Sequence, residues 1–220
     1  MSKILILGAG PGLAYTVAQR FGREGWRVVL AARNAERLHH ETMTLRGDGV
    51  DAHFHPCDVT DFEALDALVR QEAEDGGIDV LNYNAAVIRP GVALLDTTIE
   101  QIRDDLLVDI GGALVAARAA IPAMHERGSG TIIFSGGDLA HNPWHSMLTL
   151  GVGKAGMRNA VAALNQDPAA AGLRIAYVNI AAHIVGDVRD ELAEIYLAIH
   201  TGPRTEFEWE VSYSRPYGEG

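Results

Sequence analysis

The chain has one cysteine, Cys57, among 220 residues. An internal disulfide is therefore excluded, and a lone thiol fits a reducing compartment and a small buried apolar position. Basic runs are missing too: Lys and Arg number 18 against 29 Asp and Glu, a formal net charge of -11. That balance argues against nucleic acid or an anionic membrane as a partner. No apolar stretch reads as long and uninterrupted enough to cross a bilayer. Met1-Ser2-Lys3 leads straight into a strand, so no leader peptide is expected. There is no linker, repeat or low-complexity segment. His39-His40 lacks Cys or carboxylate partners at ligand spacing, so no metal site is expected. With hydrophobic residues at 48% and charged residues at 21%, the chain is globular rather than disordered. These absences point to one cytoplasmic domain over 1–213, with 214–220 as a flexible tail.

What is present begins with a βαβ unit. Residues 3–7 read Lys-Ile-Leu-Ile-Leu, the pattern of a strand buried on both faces. The run stops at Gly8-Ala9-Gly10-Pro11-Gly12-Leu13-Ala14, after which Ala14, Val17, Ala18 and Phe21 recur at helical spacing. A second apolar strand follows Gly25. A strand, a glycine turn and a helix aim backbone N–H groups and a positive helix end at an anion. A side chain at Gly8 crowds the turn, and one at Gly12 obstructs a diphosphate.

Strands and helices then alternate to the end, which predicts a single doubly wound parallel sheet of Rossmann type with helices on both faces. Helices are expected over 35–46, 62–74, 100–127 (broken near Gly111-Gly112), 146–167 and 187–200. Strands are expected over 51–55, 78–83, 131–135, 173–180 and 206–213. A loop containing Pro90 follows the fourth strand over 84–97, and a polar loop follows the fifth over 136–145.

This order of motifs resembles the short-chain dehydrogenase/reductase family over nearly the whole chain. The glycine turn resembles that family's dinucleotide turn. Asp58-Val59 resembles the pair that holds the adenine, and Asn84-Ala85-Ala86 the segment that ends the fourth strand beside the cofactor. Lys154 sits where the family carries its catalytic lysine. The resemblance implies a nicotinamide dinucleotide held by Gly8, Gly10, Pro11, Gly12, Leu13, Arg33, Asp58, Val59, Asn84, Ala85 and Lys154, with His183 near the carboxamide end. Arg33 stands where an acidic residue binds the 2′-hydroxyl of NAD, and an arginine suits a 2′-phosphate, so NADP is favoured over NAD. The resemblance also implies a homodimer or homotetramer paired through the alanine-rich faces of the helices over 100–127 and 146–167.

The chain departs from the family where the chemistry is done. The family's tyrosine, four residues before its lysine, is replaced by Leu150. Its serine aligns with Gly137, two residues after Ser135, and its asparagine with Asp109. The covering segment after the sixth strand is nearly absent. A leucine has no proton to give, so other groups become the candidates: Tyr83, Ser135, His141, His145, Asp138 and Asp109, together with Lys154. Three functions remain open. One is hydride transfer to or from a small organic carbonyl, imine or activated alkene by unusual residues. Another is a non-redox cyclase, isomerase or dehydratase using the 135–145 loop. The third is a dinucleotide-sensing protein.

Overall fold

The computed structural model describes residues 1–216; residues 217–220 of the expected tail lie outside the described residues. Seven strands form one parallel sheet: β1 (Lys3–Leu7), β2 (Arg27–Ala32), β3 (Ala52–Pro56), β4 (Val80–Tyr83), β5 (Thr131–Ser135), β6 (Arg174–Ala181) and β7 (Glu210–Ser214). Their order is β3-β2-β1-β4-β5-β6-β7. The doubly wound α/β expectation therefore holds. The chain winds outward from β1 to β3, then returns to lay β4 on the other side of β1. That reversal opens a crevice at the carboxyl ends of β1 and β4, where such sheets bind ligands.

One face of the sheet is covered by α1 (Leu13–Arg23), α2 (Ala35–Gly47) and α7 (Asp187–Thr201). Its core joins Ile4, Ile6, Val17 and Phe21 to Leu192 and Tyr196. The other face is covered by α3 (Phe62–Glu74), α5 (Gly112–Glu126) and α6 (Leu148–Leu164), with α4 (Ile99–Leu106) leading into α5. β1 is apolar on both sides because both are buried, as its unbroken run predicts.

Several boundaries differ from expectation. The predicted break at Gly111-Gly112 is a π-helical turn, Leu107–Gly111, and the helix continues through it. The combined helix Ile99–Glu126 is, by length and composition, apolar enough to cross a bilayer, contrary to the sequence reading. Half of its apolar window is buried within the fold, as in a core helix. The helix expected over 146–167 starts later, after a 3-10 turn at His145–Met147, and Asp167 caps a short turn at Pro168–Ala170. The last strand starts at Glu210 because a 3-10 turn, Arg204–Glu206, follows Pro203.

The α5 alanines need a correction. Ala113, Ala116, Ala117, Ala119 and Ala120 are all buried inside the protomer, packed with α3 and the sheet. On α6, Ala155 and Ala163 are exposed and Ala160 and Ala162 half-buried. The α5 stripe belongs to the core rather than to a subunit surface.

Candidate functional site: a glycine-lined cleft and a buried lysine

The crevice at the β1/β4 reversal is an open cleft of about 670 Å³. Gly8, Gly10, Pro11, Arg33, Asp58, Val59, Asn84 and Ala85, eight of the residues expected to hold a cofactor, line it. Gly8 has φ of 76°, and a Cβ there would stand 2.4 Å from the backbone of Ala85. Only glycine lets these two turns meet. Asn84 closes the contact, donating from Nδ2 to the Gly8 carbonyl at 3.2 Å. At Gly10 and Gly12 a Cβ would meet nothing within 4 Å, so both border open space. No side chain caps the start of α1, and its first turn carries no acid. Its N-terminal N–H groups thus face the cleft without a protein anion, the arrangement that binds phosphate. Leu13, the first residue of α1, is buried and serves the turn by packing.

The far wall is built from short local bonds. Asp58 Oδ1 accepts from the Thr60 N–H at 3.0 Å and from the Thr60 hydroxyl at 2.9 Å, which fixes the loop after β3. Cys57 is buried there, and burial pushes its thiol pKa up, as its apolar reading implies. Arg33 is exposed at the mouth and has no hydrogen bond or ion pair among the described residues. Arg37 lines the same mouth, donates to the Ala9 carbonyl at 2.9 Å and sits 3.6 Å from Glu41. The sequence reading passed over Arg37, which the first turn of α2 brings to the same mouth as Arg33.

At the carboxyl end of β5, α6 brings Lys154 against the sheet. Its ammonium donates to the Ser135 carbonyl at 2.7 Å. Burial lowers its pKa to about 8, against the opposing pull of Asp109. Asp109 lies in the π turn, fully buried, and its Oδ1 accepts from the Val87 N–H at 2.8 Å. Its Oδ2 has no partner. Burial raises the Asp109 carboxyl to about 6, partly offset by the Val87 N–H and by Lys154. The packing that unites the two depends on Gly153, where a Cβ would stand 2.4 Å from Asp109 Cβ. Turns of π-helix recur at functional sites, and this one carries the buried acid.

Other candidates are held elsewhere. Tyr83 is fully buried and its hydroxyl donates to the Val108 carbonyl at 2.5 Å. Burial drives its pKa far above the usual phenol value, which removes it as a proton donor. The Ser135 hydroxyl faces the α7 side of the sheet, bonded to Tyr196 at 2.8 Å and Asn82 at 3.2 Å. It satisfies a buried network away from the cleft. His141 donates to Glu210 at 2.6 Å, and Glu210 also takes a two-pronged bond from Arg158 at 2.7 Å. That triad pins the loop to β7. Asp138 accepts from Asn142 at 3.0 Å, and His145 is exposed at the start of its 3-10 turn. His183 is exposed beyond β6, where its carbonyl accepts from Val185.

Leu150, one turn before Lys154, is buried against a small recess that Arg89, Met147 and Thr149 also line. Behind it Arg89 and Thr149 both bond the fully buried Asp105, at 3.0 and 2.8 Å. Nothing in local sequence signals this cluster, because its members come from three separate segments. Among the described residues no group of His, Cys, Asp or Glu is arranged to hold a metal.

Known proteins share this architecture. The short chain dehydrogenase family model matches residues 2–192. Dehydrogenase/reductase SDR family member 4 of Bos taurus is 28% identical over 155 residues, 70% of this chain and 55% of that protein. A fatty acyl-CoA reductase of Mycobacterium tuberculosis is 35% identical over 134 residues, 60% of this chain and 45% of that protein. The chain thus spans about half the length of the curated relatives it matches. A crystal structure of a metagenomic short-chain oxidoreductase in complex with NADP superposes with a TM-score of 0.85 at 25% identity, covering 97% of this chain and 96% of that one. A short chain dehydrogenase from Mycobacterium smegmatis gives 0.86 at 26% identity, covering 99% and 93%. With the parallel sheet, the glycine turn and the lysine at the end of β5 all in place, the chain belongs to the short-chain dehydrogenase family.

Proposed function

We propose that this protein is an NADP(H)-dependent oxidoreductase that transfers hydride to or from a small organic carbonyl, imine or activated alkene without a phenolic acid. The carrying observation is the cleft itself. A glycine turn borders open space under an uncapped helix start, and two arginines stand at the mouth with no acid at position 33. These features fit a phosphorylated dinucleotide: the N–H groups of α1 for the diphosphate, Asp58-Val59 for the adenine, and Arg33 for the 2′-phosphate. When bound, such a cofactor supplies or accepts hydride, and the protein supplies position and electrostatics. NADP in the metagenomic neighbour supports the same choice.

The chain's own contribution at the reacting end is Lys154 with Asp109, since Leu150 and Gly137 stand where the family resemblance places its hydroxyl groups. The 135–145 loop is a poor acid–base apparatus, because Ser135 and His141 are already bonded elsewhere. That favours redox chemistry over a non-redox catalyst. A cytoplasmic homodimer or homotetramer remains our expectation, and a clean monomer on gel filtration at micromolar concentration would end the oligomer part. Calorimetric titration with NADPH and, separately, NADH tests the function. Preferential NADPH binding supports it, and binding of neither dinucleotide refutes it.

A further inference from the structure

Basic side chains in this protein are almost all arginine. Of the 18, only Lys3 and Lys154 are lysines, and both are buried, 2% and 6% exposed. Lys3 is fully committed: its ammonium donates to Glu72 Oε2 at 2.8 Å and to the carbonyls of Glu72 and Asp75. Among the described residues Lys154 makes one hydrogen bond, to the Ser135 carbonyl, which leaves two of its N–H donors uncommitted there. A Cβ added at Gly137 would meet only Lys154 Cε and Cγ within 4 Å, both at 3.9 Å, so a group can sit against the lysine stem there without a clash. The Gly137 backbone is extended, φ 178°, so this room reflects a missing side chain rather than strain. Leu150 adds only hydrocarbon on the same helix, one turn earlier. Tyr83, Ser135 and His141 are bonded away from this corner.

We propose that Lys154 is itself the acid of the reduction, and that Asp109 is the positioning residue whose buried carboxylate keeps the ammonium charged. The proposal rests on the hydride-transfer reading above. A reduced nicotinamide dinucleotide, when bound, supplies the hydride. As the substrate carbon gains its new C–H bond, the electron pair of the C=O bond moves to oxygen. That oxygen takes a proton from the Lys154 ammonium, which becomes a neutral amine, and the substrate becomes an alcohol. Water then reprotonates the amine. An arginine at this position could not serve, since its guanidinium does not deprotonate in proteins. The second observation is the orphaned Asp109 Oδ2, a fully buried oxygen without a protein partner in the same packed corner. The other charged or titratable groups acting there are Asp105 and Arg89, paired with each other, and Tyr83 from β4. Burial, the largest influence on Lys154, brings its proton affinity into the working range of an acid.

With two lysines in the chain, ¹³C-lysine labelling gives two Cε signals, and a pH titration reads Lys154 directly. Lys154→Arg assigns the signal, and Lys3→Arg assigns it by difference should that variant not fold. The expected midpoint is about 8. Asp109→Asn should lower it further, because the carboxylate that favours the charged form is gone. Saturating NADPH should displace this signal and leave that of Lys3 in place. Single-turnover reduction of a panel of activated ketones should fall about tenfold per pH unit above the same midpoint. A midpoint at or above ~10, the ordinary lysine value, a pH-independent rate across that range, or no turnover on the panel overturns the proposal. Calorimetry separates the two levels. NADPH binding with an ordinary lysine titration sinks the acid alone, and failure of both dinucleotides to bind sinks the function reading with it.

Discussion

Replacing Arg33 by alanine is the sharpest perturbation of the cofactor cleft. Arg33 is exposed at the mouth and makes no hydrogen bond or ion pair among the described residues, so its loss should leave the fold intact. Its proposed partner is the 2′-phosphate, which NADPH carries and NADH lacks. A hydrogen bond between charged groups contributes about 1.5–3 kcal/mol. Solvent and salt weaken an exposed pair, which places Arg33 near the low end, on the order of 1.5 kcal/mol or about tenfold in Kd. Arg37 is already engaged with the Ala9 carbonyl and near Glu41, so it should compensate only in part. The assay is calorimetric titration of wild type and Arg33→Ala with both dinucleotides at low and physiological salt. NADPH affinity should fall about tenfold, more steeply at low salt, and NADH affinity should change by less than about twofold. Equal losses for both cofactors would refute the 2′-phosphate argument, since the side chain would then be supporting the cleft in general. No change for either would place the phosphate elsewhere.

Other perturbations test the interior. Leu150→Tyr combined with Gly137→Ser should raise ketone reductase activity by about 10²-fold or more, the usual contribution of a positioned acid; a steady-state assay with NADPH and an activated ketone reads this, and an unchanged rate would show that position 150 is misaligned. The Asp109 carboxyl is held at about 6, against 3.8 for a free one, so it is ionised at neutral pH but holds its proton more tightly than in the unfolded chain. The stability it supplies is complete below pH 3.8 and is lost as pH rises through about 6. Denaturant titrations should therefore show Asp109→Asn gaining on wild type by on the order of 3 kcal/mol between acidic and neutral pH, and a constant difference would contradict the burial argument. Lys3→Met strands the buried Glu72, which keeps only His55 at 3.0 Å, and should cost about 3–5 kcal/mol. Adding Glu72→Leu should recover most of that loss in chemical denaturation, and failure to do so would mean that the lysine stem, rather than its charge, is what the core needs.

The layout was legible in the sequence because it rests on local rules. An apolar run such as Ile4–Leu7 can only be a strand with both faces covered. The glycine turn can only join it to a helix, and repeated alternation forces a parallel sheet with its crevice at the reversal. Gly8, Arg33, Asp58 and Asn84 share one cleft because each lies at or just beyond the carboxyl end of a strand near the reversal. The identity of the reacting groups was less legible. Ser135 and Tyr83 stand at strand ends, and pattern alone does not say which way an end side chain faces. Packing sent the first to Tyr196 and the second to the Val108 carbonyl. His141 read as a candidate acid until β7 brought Glu210 beside it from 69 residues away. The α5 alanines offered two surfaces equally, and the sheet took them.

The sequence by itself therefore determined the sheet, the glycine turn after β1 and the leucine four residues before Lys154. Only the tertiary structure decided that Lys154 would be buried with two donors uncommitted among the described residues, that Asp109 would join it across the gap left by Gly153, and that most rival acids would be bonded elsewhere. The physical reason is range. Strand, turn and helix follow from neighbouring residues, whereas burial and proton affinity depend on groups that meet only after the chain has closed on itself.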